Sequence, residues 1–288
     1  MAMMTTDEHY DELDYLDRSF LEDLIPSIKT YTVSSESQFL NLINSQAKVT
    51  HSNTIFTILD EFLLFRFSDT DIHSFDSILN PENPDISFHI SSIDFTGRLL
   101  LIRMPGIPHG SAAGVFSDIL AYATASMGLR HTLKTYIGSR IWGEAQKRAK
   151  EPDYGWAPVR RAPGQPDRPT ITLEVAYSEA DKKLQSDVRF WLSPKDGNAN
   201  VCLTVRILRS SIRVEQWHRD DHGRICRKGV ACVKNTKDGF LVDDTYPIRI
   251  SFKDLYNREA DCPRERDIDV TSEDLKVLAR TVWDDHQV

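Results

Sequence analysis

Residues 151–192 read EPDYGWAPVRRAPGQPDRPTITLEVAYSEADKKLQSDVRFWL, and the fold turns on how this stretch is parsed. TITLEVAY has the composition of a strand, and strand side chains alternate between faces. Ile171, Leu173, Val175 and Tyr177 then share one face, and Thr172, Glu174 and Ala176 the other. A carboxylate in the middle of such a run is costly to bury unless it is paired or binds a metal. Asp153 opens a second strand-like run, and the loop PVRRAPGQPDRP can fold the two strands together. Asp153 and Glu174 would then lie side by side, a hard-oxygen site of the kind Mg2+ takes, with Mn2+ as a substitute. The alternative is that Glu174 faces solvent or an arginine.

A charged amphipathic helix follows at once. Ser178 is placed to cap it, and Asp181 lies in its first turn, where the helix dipole favours an acid. Leu184, Val188, Trp191 and Leu192 form its expected buried stripe, with Lys183, Ser186 and Asp187 off that stripe.

Outward from this stretch, SIDFTGRLLLIRMP is expected to be a hairpin turning at Thr96-Gly97. GSAAGVFSDILAYATASMG is a helix with Val115, Ile119 and Tyr122 on its apolar face and Gly128 past its end. LKTYIGSRIW reads as one strand, with a bulge or close approach at Gly138. NVCLTVRIL and SIRVEQW form a strand pair, HRDDHGRICRKG a polar loop, and VACVKNTKDGFLVDDTYPIRISFKDLY short strands. A final helix is capped by Thr271 or Ser272 and buries Leu275, Leu278 and Val282. Alternating strands and helices make an α/β fold. The expected divisions are an acidic segment with a small helical accessory region over 1–90, a core over 91–218, and C-terminal strands and a helix packing on the core over 219–288.

In order along the chain, RMPGIPHG (103–110), KEPDYGWAP (150–158), PTITLEVAYSE (169–179) and DVRFWL (187–192), followed by the pair NVCLTVRIL and IRVEQW, resemble the PD-(D/E)XK nuclease-like superfamily. The closer likeness is to a group of fungal proteins with a restriction-endonuclease-like domain, over Ile93 to Trp217. The resemblance implies a restriction-endonuclease-like core, a mixed β-sheet flanked by helices. It implies Asp153 as the first metal acid, Glu174 as the second, and Mg2+-dependent hydrolysis of nucleic-acid phosphodiesters. Two departures stand out. The superfamily lysine would fall at Ala176, and the acid that relatives carry after the histidine is absent, since Gly110 and Ser111 follow His109. Lys182, Lys183, Arg189 and Arg206 are the candidates to supply the missing cation. A silent module that kept the fold and binds protein or nucleic acid is the second reading.

The chain has 288 residues, 40% hydrophobic and 27% charged, with a formal net charge of −8. That charge argues against a generic nucleic-acid coat protein. Residues 129–161 are locally basic, and Arg140, Lys147, Lys150, Arg160 and Arg161 are the expected phosphate contacts. A solvated helix face would explain the same charges. No apolar run is long enough to span a membrane, and the four cysteines fit no paired zinc pattern. An intracellular protein, cytoplasmic or nuclear, is the expectation. No GxSxG elbow and no phosphate-cradling glycine motif occurs.

Overall fold

The computed structural model describes residues 21, 24, 28–52, 62–68, 88–103, 107–143, 146–177 and 181–284. Its elements are β1 (Thr30–Val33), α1 (Glu36–Ser52), β2 (Phe62–Phe67), β3 (His89–Asp94), β4 (Leu99–Arg103), α2 (Ile107–Ser126), β5 (Leu133–Tyr136), β6 (Ile141–Trp142), β7 (Arg148–Lys150), β8 (Tyr154–Pro158), β9 (Ile171–Tyr177), α3 (Asp181–Leu192), β10 (Val201–Ile207), β11 (Ser211–Arg219), β12 (Ile225–Thr236), β13 (Gly239–Tyr246), β14 (Arg249–Ile250), α4 (Phe252–Tyr256), β15 (Ile268–Asp269) and α5 (Ser272–Asp284). The fold is mixed α/β. No helix among the described residues is long and apolar enough to cross a membrane.

Two large sheets organise the chain. One runs β13-β12-β11-β10-β9-β8-β5 and the other β1-β2-β4-β3-β7-β6. In the seven-stranded sheet β9 and β10 are parallel, and α3 is the crossover that a parallel pair needs. Every other pairing in that sheet is antiparallel. The expected order of helix, three strands, helix and two strands is present as α2, β5, β8, β9, α3, β10 and β11, with β6 and β7 diverted into the second sheet.

Alternation along β9 sorts its side chains as its pattern predicts. Ile171, Leu173 and Val175 join one apolar cluster with Ala112, Phe116 and Leu120 of α2 and Leu275, Leu278 and Val282 of α5. On the other face, Cys202 of β10 packs with Val188, Trp191 and Leu192 of α3. The six-stranded sheet is also two-faced. Phe65, Ile93, Leu100 and Ala149 pack with Phe39 and Ile43 of α1. Leu64, Leu101, Ser92 and Lys150 form one row across β2, β4, β3 and β7 on the opposite face, where Leu21 and Leu24 also pack.

Several expectations change. The region before residue 90 contributes strands β1 and β2 as well as a helix. The boundary stretch SILNPENPD, the Ser178 cap, and most of the acidic N-terminal segment lie outside the described residues. Tyr122 is 84% exposed, not part of the apolar face of α2. That face centres on Phe116 and Leu120, and two residues on from Leu120 is about 200° around a helix. LKTYIGSRIW is two strands in different sheets, because Gly138 takes a left-handed φ of +61° and turns the chain out of the first. The expected polar loop after Trp217 is a tight turn inside a long hairpin. The Asp220 carboxylate accepts the backbone N–H groups of His222 and Arg224, both at 2.9 Å.

The exit from α3 is fixed by close packing. A Cβ on Gly197 would stand 2.7 Å from Trp191 Cα and from its indole ring. Only glycine lets the chain cross Trp191 closely enough to enter β10. Gly197→Ala is expected to destabilise the fold by about 1–3 kcal/mol, the usual cost of overpacking. Urea denaturation checks this, and an unchanged midpoint would show that the crossing is loose.

Candidate functional site

The register brings the two expected acids together. Tyr154 pairs with Leu173 across β8 and β9, so Asp153 falls beside Glu174. The Val175 N–H donates to Asp153 Oδ2 at 2.7 Å, which ties the Asp153 carboxylate to this point of β9. Arg103, at the end of β4, pairs with the other Asp153 oxygen.

Glu174 points toward α3 and has no exposed surface. Trp191 Nε1–H donates to its Oε1 at 2.6 Å. Its Oε2 lies 3.3 Å from Lys183 Nζ and 3.4 Å from Lys150 Nζ. Asp187 completes the group, with Lys150 at 2.7 Å from Oδ1 and Lys183 at 2.6 Å from Oδ2. Lys150, Lys183 and Asp187 are 0%, 1% and 2% exposed. Phe62 of β2 lies over Lys183, with the ring centroid 4.7 Å from Nζ, and closes the cluster from the six-stranded sheet. Beside it, Arg140 and Glu151 form a further half-sequestered pair at 3.1 Å.

Charge balance explains why this burial is tolerated. Glu151, Asp153, Glu174 and Asp187 are matched one for one by Arg103, Arg140, Lys150 and Lys183. Buried ions cost several kcal/mol each unless partners compensate them closely. Burial pushes the Glu174 carboxyl up to about 7, against the pull of Lys150 and Lys183. Burial alone would lower Lys183, but Asp187 and Glu174 outweigh it and hold the ammonium charged well above its ordinary value. Burial likewise pushes Glu151 up to about 7 against Arg140.

The expected site residues divide sharply. Glu174 and Lys183 meet, with Asp153 beside them. Lys182, one residue from Lys183, is exposed, and Arg189 is half-buried further along α3. Arg206, on β10, pairs in register with Ala176 of β9. Of the expected phosphate contacts, Lys150 is a correction: it is wholly buried between the sheets. Arg140 is neutralised by Glu151, and Arg161 pairs with Asp167 at 2.7 Å. Lys147 and Arg160 are exposed. Lys183, Ser186 and Asp187 are also corrections, since all three are buried rather than off the stripe. Lys183, Asp187 and Trp191 are spaced by four, which places them on one helix face, and that spacing was the available signal.

The arrangement does not fit a divalent ion as it stands. Each oxygen of Asp153 and Glu174 already faces a protein cation or N–H donor. The Trp191 and Val175 donors cannot become metal ligands. Among the described residues, no group of three or more His, Cys, Asp or Glu side chains is arranged to hold a metal. An open cleft at the β11–β12 turn, lined by Asn200, His218, Asp220 and Asp254 among others, includes neither Asp153 nor Glu174. No protein-family model matches this chain, and none of the curated proteins matches it.

Two outcomes follow. Lys183→Met would leave two buried carboxylates facing one lysine, and should cost about 3–5 kcal/mol, as breaking buried pairs does. Lys182→Met should leave the denaturation midpoint unchanged, and equal effects would contradict the assignment. The second concerns pH. The folded Glu151 carboxyl, at about 7, holds a proton that the unfolded chain releases near its ordinary 4.5, so stability falls as pH rises between these values. Glu174 acts in the same direction. Melting temperature should therefore be higher near about pH 6 than near about pH 8, and Glu151→Gln should flatten the difference. A higher melting temperature on the alkaline side would contradict it.

Proposed function

We propose that this chain is a restriction-endonuclease-like module that acts by binding a protein partner, and that it does not hydrolyse phosphodiesters. The observation carrying this reading is the closed cluster around Glu174. Metal-dependent hydrolysis needs an ion with an open position and access for substrate. Here Glu174 is sealed between two sheets, Asp153 beside it is only partly buried, and the oxygens of both already have protein partners. The helix and strand order and the pairing of Asp153 with Glu174 support the likeness to the PD-(D/E)XK superfamily in architecture.

The surface charge favours a protein over a nucleic acid. Of the five basic residues expected to contact phosphate, three are buried or neutralised, and Lys147 and Arg160 are exposed. With only two of these five free to face a phosphate, on a chain of net charge −8, the expected contacts make a weak phosphate-binding surface. Exposed aliphatic side chains instead flank the β5 edge of the seven-stranded sheet, at Ile137 and Val159.

A Mg2+-dependent nuclease is the second reading. It is favoured by Lys183, which reaches Glu174 from α3 as a replacement for the lysine missing at Ala176. On that reading Asp153 and Glu174 would hold Mg2+, which would neutralise phosphate charge and activate water. The two readings separate in one assay. Purified chain should leave supercoiled and single-stranded DNA and RNA intact with Mg2+ or Mn2+, and should bind none of them in a salt-dependent way. Cleavage that a chelator and Glu174→Gln both abolish would overturn the proposal in favour of the nuclease. Salt-sensitive binding lost in Lys147→Ala/Arg160→Ala would overturn the choice of partner.

A further inference from the structure

We infer that the outer edge of β13 is a docking site for an extended, basic segment of a protein partner, which adds to the seven-stranded sheet as one more strand. This rests on the reading of the chain as a protein-binding module, and goes beyond it in naming the surface and the chemistry of the partner.

β13 is an end strand. β12 pairs with one side of it, and among the described residues no strand pairs with the other. It runs for eight residues, and its Leu241 and Tyr246 are 60% and 49% exposed. Proteins blunt such edges with proline, lysine, a bulge or a very short strand. GFLVDDTY contains neither proline nor lysine, and its register with β12 is unbroken from Gly239 to Asp243. The opposite end strand, β5, is four residues long, and its Lys134 pairs with Asp167 at 2.8 Å.

The register shows which backbone groups the edge offers. Two residues join β12 to β13, so the closing pair Thr236 and Gly239 exchanges hydrogen bonds and the pattern alternates from there. Leu241 and Asp243 then turn their backbone groups to β12, while Phe240 and Val242 each turn an N–H and a C=O outward. The strand is also held in place from behind. The Phe240 and Trp283 ring centroids are 5.6 Å apart, and the Ser272 hydroxyl donates to Asp244 at 2.5 Å. An edge fixed in this way loses little freedom on binding.

Charge selects the occupant. Residues 237–246 carry Asp238, Asp243 and Asp244 against Lys237. Asp243 is exposed on the same face as Leu241, and its hydrogen bonds come from Thr245 alone among the described residues. Lys234 pulls on it from β12, where it stands opposite Leu241. A strand alternating basic with apolar residues puts its cations beside Asp243 and its apolar side chains beside Phe240 and Val242 on the α5 side. A second copy of this chain would bring the same acids, and a net charge of −8, to the same edge.

The test is fluorescence anisotropy of the full chain with a labelled heptapeptide alternating lysine and valine. This peptide should bind, and its copy N-methylated at every residue, which cannot donate to the edge, should not. Val242→Pro removes an outward N–H and leaves the β12 ladder intact, and should weaken binding about tenfold. Asp243→Lys should weaken it likewise and admit a peptide alternating glutamate and valine. No binding of the lysine peptide, equal binding of its N-methylated copy, or binding unchanged in both variants overturns the edge as the site, while the protein-binding reading stands. Should Val242→Pro not fold, the N-methylated peptide and Asp243→Lys decide the matter. A dimer in sedimentation velocity that Val242→Pro dissolves overturns the choice of occupant in favour of a second copy. Nuclease activity of the unmodified chain overturns the underlying reading, and it is measured without any peptide.

Discussion

A carboxylate with no exposed surface, set in the third strand from one edge of a seven-stranded sheet, constrains everything around it. Glu174 cannot be left ionised and unpaired there, because isolated buried charge is among the costliest features a fold can hold. The answer draws on several parts of the chain. Lys183, Asp187 and Trp191 come from the crossover helix, Lys150 from the second sheet, and Phe62 from a strand far earlier in sequence. The same contacts that neutralise Glu174 therefore tie the two sheets together. Buried ion pairs of this kind contribute little net stability compared with apolar packing, but losing one partner is severe. The cluster fixes how the sheets meet more than it strengthens the fold.

Much of the architecture was legible in the sequence because it rests on local periodicity. Alternation along TITLEVAY sorts the faces of β9 correctly, and Leu275, Leu278 and Val282 mark the buried stripe of α5. The cap of α5 is also readable. The Thr271 hydroxyl accepts from the Asp274 N–H at 3.2 Å, and the Asp274 carboxylate accepts from the Thr271 N–H at 2.8 Å. The Asp153–Glu174 meeting was legible too, since an antiparallel pair needs little more than two strands and a loop.

What escaped was non-local. Lys150 sits in a three-residue strand, too short for any pattern, and its burial depends on pairing through Ser92 with a sheet begun over a hundred residues earlier. A lysine in a basic run reads as surface, and only the second sheet makes it internal. Asp187 and Lys183 read as the polar side of an amphipathic helix because one apolar stripe was assumed. The helix is buried on a wider arc, against one sheet through Val188 and Trp191 and against the other through Lys183 and Phe62. Gly138 failed for a related reason. A left-handed glycine inside a strand-like run marks a bulge or a turn equally well, and only the destination of the chain decides between them.

Protein cations, not a metal, neutralise Glu174. A crystal structure grown in Mn2+, with anomalous data collected at the manganese edge, tests it most directly. Lys150 Nζ is expected between Glu174 and Asp187, with Lys183 bridging the same pair and no anomalous peak in the cluster. A manganese peak shared by Asp153 and Glu174, with the lysines turned aside, would contradict it.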